Sequence, residues 1–168
     1  MNWTTLLCDD RIRSYKKSSS TDLRTEFEKD YHRIIGSASF RRLQDKTQVF
    51  PLDRSDFVRT RLTHSLEVSS LAKSLGQNIS ESIRVNVKDD TFLPEHKAAV
   101  CDILQCAGLI HDIGNPPFGH FGETSIQDWF KQNLGRLMFK GQPISDILKP
   151  QMLQDFYHFE GNTQAFRV

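Results

Sequence analysis

Apolar residues recur at intervals of three and four positions along most of this 168-residue chain. This spacing places them on one side of an α-helix. No segment shows the alternation of apolar and polar residues that is typical of a half-buried β-strand, and no internal repeat or low-complexity tract interrupts the pattern. The sequence therefore predicts an all-α fold.

The periodicity and the helix-breaking residues together predict the bounds of four helices. Their approximate ranges are 22–47, 61–83, 94–111 and 123–134. A loop at 48–53 ends the first helix, because Pro51 favours an extended conformation in the residue before it. The pair Pro116 and Pro117 lies beyond the end of the third helix. Residues 1–20 are expected to form a flexible N-terminal segment, and residues 21–168 the folded domain.

The same pattern predicts which side chains point inward. His64 is in line with Val68, Leu71 and Leu75 in the second helix, and His111 continues the series Val100, Leu104 and Ala107 in the third. We therefore expect both imidazoles to face the interior. In the fourth helix the residues expected to face inward are Ile126, Trp129 and Phe130.

Composition narrows the classes of function. The chain has 22 Lys and Arg against 21 Asp and Glu, so no overall basic field attracts nucleic acid or an anionic membrane. Any anion must be bound by local groups. The three cysteines lack the spacing of a metal or redox motif, the N-terminus is polar and charged, and no apolar run reaches the roughly 18 residues of a membrane helix. These features favour a cytoplasmic protein.

His111 and Asp112 close an apolar run that is followed at once by glycine and proline. His120 and Glu123 follow within twelve residues, as a second acid/base pair. An inward His64 and the His111-Asp112 pair offer nitrogen and oxygen ligands that suit Mn, Fe, Mg or Zn. A single inward histidine is more often an ordinary core residue. Three ligands also leave a shell incomplete, and the candidates for a further ligand are Asp128, Asp146 and Asp155, which their spacing does not distinguish.

Four blocks of the sequence resemble the deoxyguanosinetriphosphate triphosphohydrolase family of the HD superfamily. They are the segments 40–50 (FRRLQDKTQVF), 61–68 (RLTHSLEV), 111–123 (HDIGNPPFGHFGE) and 158–162 (HFEGN). The resemblance extends in family order from about Asp30 to Arg167. It implies an HD-domain helical bundle and the hydrolysis of a dNTP to a deoxynucleoside and tripolyphosphate.

This resemblance also implies roles for individual residues. His64, His111 and Asp112 match three of the four metal ligands, for which Mn or Mg is expected first and Fe, Co, Ni or Zn are alternatives. His120 and Glu123 match the catalytic pair that assists attack of water on the phosphate next to the sugar. Among the substrate contacts, Gln48 and Val49 match positions under the deoxyribose, and Arg61 matches a phosphate-binding arginine. Arg41 and Arg42 are expected to be surface charges.

In the family the fourth metal ligand is an aspartate downstream of the Glu-Gly-Asn block, so here it is expected beyond Val168. The chain is thus expected to be an N-terminal portion of such an enzyme, with little or no triphosphohydrolase activity by itself. An alternative is a non-catalytic remnant that binds metal or nucleotide weakly or associates with a full-length relative. The implied partners are a dNTP substrate, other copies of the chain in a full-length homo-oligomer and single-stranded DNA as a candidate regulator, with no membrane.

Overall fold

A computed structural model describes residues 2–12, 21–49 and 55–167. It confirms the all-α prediction. The α-helices are α1 (Trp3–Leu6), α2 (Glu26–Gly36), α3 (Ala38–Arg41), α4 (Arg61–Ser82), α5 (Pro94–Ile110), α6 (Gly119–Asn133), α7 (Ile144–Ile147), α8 (Pro150–Tyr157) and α9 (Gly161–Ala165). Short 3₁₀ turns follow at Arg42–Asp45 and Leu134–Arg136, and a π-helical turn at Ile83–Val87.

The chain forms two compact units. The first unit contains residues 1–42 and 62–110, and the second contains residues 43–61 and 111–168. The first residue of α4, Arg61, belongs to the second unit, and the rest of the helix belongs to the first. His111 directly follows the last residue of α5 and belongs to the second unit. Arg61 and His111 therefore lie at the two positions in the sequence where the assignment changes from one unit to the other.

In the first unit, α2 packs against α5 and α3. Thr25 and Glu28 form a capping box at the start of α2, so two otherwise unpaired amides of the first turn are bonded. Helices α4 and α5 approach closely where Gly108 faces Ser69, since a Cβ added to Gly108 would lie 2.6 Å from the Ser69 Cα. The Ser69 hydroxyl also donates to the Gln105 carbonyl at 2.8 Å.

The buried side of α4 differs from the prediction. Its buried residues are mostly small: Arg61, Ser65, Ser69, Gly76 and Ser80. Two residues of the apolar series that was expected to face inward are instead exposed, Leu71 to 71% and Leu75 to 56%. Small side chains let two helix backbones come together, so this side, rather than the leucine side, contacts α5. Val68, on the expected face, is half-buried, and so are both His64 and His111.

In the second unit, α6 packs against α8. The rings of Phe130 and Phe156 lie 4.5 Å apart between their centroids. Trp129 was expected to face inward, but half of its surface is exposed, and it contacts the edge of Phe130 instead. Two short antiparallel strands, β1 (Met138–Phe139) and β2 (Gln142–Pro143), form a hairpin that the sequence analysis did not predict.

Other helix bounds also require correction. The segment predicted as one helix from Asp22 begins at Glu26 and breaks at Ser37, whose extended backbone ends α2 and caps α3. Helix α6 begins at Gly119, four residues before the predicted start. The predicted bounds of α4 and α5 are confirmed to within one residue, apart from the added π turn.

Two predictions fall partly outside the described residues. Most of the loop predicted at 48–53 lies there, as do residues 13–20 of the flexible N-terminal segment. The flexible N-terminal segment stays a prediction, although its described part contains α1. Within the three described ranges, no helix combines the length and the apolar character needed to cross a bilayer.

Candidate metal and phosphate site

Asp112 is the centre of a buried hydrogen-bond cluster in the second unit. It lies in the turn that follows α5, and it and Arg61 are each only 5% exposed. Arg61 Nη1 donates to Asp112 Oδ1 at 2.9 Å, and the amide of Asn115 donates to the same oxygen. The negative charge of the carboxylate is therefore balanced, and one of its oxygens is held in a fixed direction.

The other oxygen of Asp112 has no protein hydrogen-bond donor. Asp112 Oδ2 is buried without a hydrogen-bond partner among the described residues, and His111 Nε2 lies 3.8 Å from it. A buried carboxylate oxygen without a donor is costly, so it commonly indicates a ligand such as a cation. The atom is thus available for metal coordination.

His64 and His111 complete what we call the metal cluster. One ligand atom from each of His64, His111 and Asp112 lies within 4.8 Å of the others. Within the described residues this is the one group of three or more His, Cys, Asp or Glu with such spacing. Two imidazoles and a carboxylate suit Mn, Fe, Mg or Zn, so the residues present fit a divalent cation.

The positions of these residues follow from the helices that carry them. His64 lies in the first turn of α4, three residues after Arg61, and so on the same side of the helix. His111 follows the last residue of α5. Gly114 keeps the next turn close to α9, because a Cβ there would lie 2.0 Å from the Gly161 carbonyl oxygen.

His120 and Glu123 form a second pair, which we call the acid/base pair. They lie one turn apart at the start of α6, and His120 Nδ1 is 2.8 Å from Glu123 Oε2. Glu123 is buried and its Oε1 accepts the backbone N–H of Gly161 at 2.7 Å. The His120 side chain is 99% exposed. A fixed carboxylate therefore orients an imidazole whose other nitrogen faces solvent.

Asn115 and Gly161 connect the two groups, and the sequence analysis did not single them out. A Cβ on Gly161 would lie 2.0 Å from Asn115 Oδ1 and 2.9 Å from Glu123 Oε1. Asn115 thus contacts Asp112 on one side and the start of α9 on the other. Its position between glycine and proline, inside the block that carries the histidines, was the available signal.

Glu160 caps α9 and holds Gly161 in place. Its side chain accepts hydrogen bonds from the Thr163 hydroxyl and from the amides of Asn162 and Thr163. These bonds, chiefly that from the Thr163 hydroxyl, hold the pKa of Glu160 below its usual value. The carboxylate therefore stays charged at neutral pH, where it stabilises the positive end of the helix.

The segment before α4 is tied to Arg61 by backbone pairing. The Arg61 N–H donates to the Lys46 carbonyl at 2.9 Å, and the Gln48 N–H donates to the Arg59 carbonyl at 3.3 Å. Lys46 also donates from Nζ to the Asn115 carbonyl at 2.7 Å. Gln48 Oε1 is buried with no hydrogen-bond partner in the described parts of the chain, whereas Val49 is 70% exposed.

Two of the aspartates considered as a further ligand have other neighbours. Asp155 pairs with Arg167 at 2.7 Å, and Asp128 lies 3.7 Å from Lys131. Neither these two nor Asp146 belongs to the metal cluster. Arg41 and Arg42 are exposed, as expected.

Comparison with known proteins identifies relatives over the whole chain. A deoxyguanosinetriphosphate triphosphohydrolase-like protein of Listeria monocytogenes is 55% identical over 170 residues, which cover 100% of this chain and 37% of that protein. A protein of the same description from Pseudomonas aeruginosa is 45% identical over 174 residues, covering 100% of this chain and 36% of its own length. A deoxyguanosinetriphosphate triphosphohydrolase of Enterobacter sp. is 42% identical over 178 residues, covering 94% and 35%.

The chain spans about a third of the length of these curated relatives. The family model described as HD domain matches residues 61–157, which include the metal cluster and the acid/base pair. Because this match covers more than half of the chain, the chain belongs to the HD-domain family.

Proposed function

We propose that this chain carries the catalytic residues of a metal-dependent dNTP triphosphohydrolase that releases a deoxynucleoside and tripolyphosphate. The observation that carries the proposal is the buried, unbonded Asp112 Oδ2 beside His64 and His111. The names of the relatives support a deoxynucleoside triphosphate as substrate.

His64, His111 and Asp112 would hold the cation, with Mn²⁺ or Mg²⁺ proposed first. When bound, a divalent cation at this site polarises a phosphoryl oxygen and lowers the pKa of water. Arg61 and Asn115 support this role by holding Asp112 Oδ1, so that Oδ2 keeps its direction.

Arg61 is proposed to bind phosphate as well. Its Nη1 donates to Asp112, but its Nε is buried and bonds to no residue that the structure describes. A buried guanidinium N–H without an acceptor favours an anionic oxygen. A triphosphate oxygen would satisfy it and would lie one helical turn from His64.

The acid/base pair is proposed to assist the attack of water. Glu123 accepts the Nδ1–H of His120, which leaves Nε2 of the imidazole as the proton acceptor. The water oxygen forms a bond to the phosphorus next to the sugar while its proton passes to His120 Nε2. The bond between that phosphorus and the sugar oxygen breaks, and a proton returns to the sugar oxygen, giving the deoxynucleoside and tripolyphosphate.

Gln48 and Val49 are proposed to contact the deoxyribose. The unbonded Gln48 Oε1 is an acceptor for the 3′-hydroxyl, and the exposed Val49 would pack against the sugar carbon that lacks a hydroxyl. A ribose would place a hydroxyl against this apolar side chain, which disfavours ribonucleotides.

The test is tripolyphosphate release from each dNTP with Mn²⁺, measured for any version of the protein that is active and for its His120→Ala and Glu123→Gln variants. Both variants should keep wild-type metal content and lose about 10²- to 10⁴-fold in turnover, the usual contribution of a positioned acid or base. Loss of metal from either variant would instead make that residue a ligand. Wild-type turnover in both would remove the proposed mechanism.

A second candidate is a non-catalytic role in which the chain associates with a full-length relative. It is favoured by the exposed apolar residues of α4: Leu66, Leu71, Leu75 and Ile79. Sedimentation of the purified chain, alone and mixed with such a relative, tests this candidate. Association together with no tripolyphosphate release under any metal would favour it over the enzyme.

A further inference from the structure

A cavity of about 390 Å³ lies in the first unit, at the opposite end of α5 from His111. Its lining residues are Ser80, Glu81, Arg84, Phe92, Leu93, Pro94 and Lys97. We call it the Ser80 pocket. None of these residues belongs to the metal cluster or to the acid/base pair. Because α5 has 17 residues, its two ends are separated by about 25 Å.

The apolar wall of the Ser80 pocket is held by specific contacts. Phe92 is buried, and its ring meets the edge of Trp3 at a centroid distance of 4.9 Å. Trp3 Nε1 donates to Asp89 Oδ2 at 2.9 Å, and the Leu93 N–H donates to His96 Nδ1 at 3.0 Å. The wall therefore has a fixed shape before any ligand binds, which lowers the entropic cost of binding.

Ser80 supplies an unsatisfied polar group to this apolar wall. Ser80 is 1% exposed, and its Oγ has no hydrogen-bond partner among the described residues. A buried hydroxyl without a partner costs free energy in the unliganded protein, so it indicates a ligand oxygen or nitrogen at that position.

The charges at the pocket favour an anion with a single negative charge. Arg84 and Lys97 are cationic, and Glu81 is ion-paired with Arg84. The Arg84 hydrogen bond, aided by the nearby charge of Lys97, lowers the pKa of Glu81. The carboxylate is therefore ionised at neutral pH, and the three groups together leave one net positive charge, to which the first turn of α5 adds its positive end.

The π-helical turn places Arg84 at the pocket. Arg84 lies in the Ile83–Val87 turn, which ends at Lys88 with a left-handed backbone (φ 54°). Turns of this kind cost stability and are frequent at functional sites.

We propose that the Ser80 pocket binds a small monocarboxylate with an apolar body. The apolar body packs on Phe92, Leu93 and Pro94, and the carboxylate lies between Arg84 and Lys97. The Ser80 hydroxyl donates to the ligand. A volume of 390 Å³ accommodates a molecule of this size, within the usual range of small-ligand sites.

The probes for the test are phenylacetate, phenylacetamide and acetate, which separate the charge from the apolar body. Binding is followed by the amide NMR signals of the chain. Phenylacetate should shift the signals of Ser80, Arg84, Phe92 and Lys97 with a millimolar Kd, as expected for so small a ligand. Phenylacetamide should bind about fivefold more weakly. Acetate should produce no shift of Phe92 at about 10 mM.

Variants test the named groups. Lys97→Gln, at an exposed position, and Arg84→Gln should each raise the phenylacetate Kd about two- to fivefold. Ser80→Ala should raise the phenylacetate Kd about fivefold without lowering the midpoint of thermal unfolding, because the hydroxyl bonds to none of the described residues. Lys131→Gln, an exposed lysine of the second unit, is the control and should leave the Kd unchanged.

The proposal is overturned if phenylacetate leaves the pocket signals unmoved, or if phenylacetamide binds as tightly as phenylacetate. It is equally overturned if Lys97→Gln binds as the wild type does, or if Ser80→Ala lowers the unfolding midpoint while the Kd stays unchanged.

Discussion

The substitution Arg61→Met tests how Asp112 is held. It removes the cation that donates to Asp112 Oδ1 at 2.9 Å and leaves a buried carboxylate. Removing one member of a buried ion pair costs about 3–5 kcal/mol. Asn115 still donates to the same oxygen, so we expect the lower end, a loss of about 3 kcal/mol in the free energy of unfolding.

A double-mutant cycle isolates the interaction. Asp112→Asn alone leaves the buried guanidinium without its anion, whereas Arg61→Met with Asp112→Asn removes both charges. The double variant should be more stable than the sum of the two single losses predicts, by about 1–3 kcal/mol. Urea denaturation followed by circular dichroism gives the four free energies. Arg136→Met, which changes an exposed arginine of the same unit, should stay within about 0.5 kcal/mol of the wild type.

Two results would refute this reasoning. One is a loss below about 1 kcal/mol for Arg61→Met, as for an exposed pair. The other is strict additivity in the cycle, which would mean that the two side chains do not interact in solution.

Three further predictions concern other parts of the chain. Glu123→Ala removes the acceptor of the Gly161 N–H and should lower the free energy of unfolding by about 1–3 kcal/mol, as measured by urea denaturation. Glu123→Gln keeps an acceptor and should lose less than half as much. Gly108→Ala should lower the free energy of unfolding by about 1–3 kcal/mol, because its Cβ would meet the Ser69 backbone. Gly36→Ala, with no atom within 4 Å of its Cβ, should change the free energy of unfolding little. Equal effects would contradict the close approach of α4 and α5. Burial raises the pKa of the Cys106 thiol to about 11, so the stability that the protonated thiol contributes is complete below the unfolded pKa and is lost as pH rises through 11. At neutral pH iodoacetamide should modify the exposed Cys8 before Cys106, as followed by mass spectrometry. Faster modification of Cys106 would be inconsistent with its burial.

The helical elements were largely predictable because local signals fix them. The bounds of α4 and α5 follow from apolar periodicity and from Pro94. The break at Ser37 was missed because the apolar pattern continues across it, although the serine caps α3 with its side chain. The hairpin at 138–143 was missed because strands of two residues carry no alternation to detect.

The orientation of α4 was not predictable from apolar periodicity. That pattern places Leu71 and Leu75 inside, but the helix packs against α5 through Ser69 and Gly76. Close approach of backbones depends on the absence of side-chain volume, which a search for large apolar residues does not reveal.

The candidate site was predicted residue by residue but not as a network. His64, His111 and Asp112 were named from the sequence, and they lie together. The contribution of Asn115 was missed, although its position between glycine and proline was a signal, because its contact with Gly161 joins residues that are far apart in sequence. The same holds for Lys46, whose ammonium group bonds the Asn115 carbonyl.

Metal binding is the central claim, and titration of the purified chain with Mn²⁺ tests it most directly. Calorimetry, with elemental analysis of the dialysed protein, should show binding to the wild type and none to His111→Ala or Asp112→Ala, because each removes a ligand from a set of three. His32→Ala, which removes an exposed histidine of α2, should bind as the wild type does. If His111→Ala or Asp112→Ala keeps the metal content of the wild type while folded, the assignment of the metal cluster is wrong.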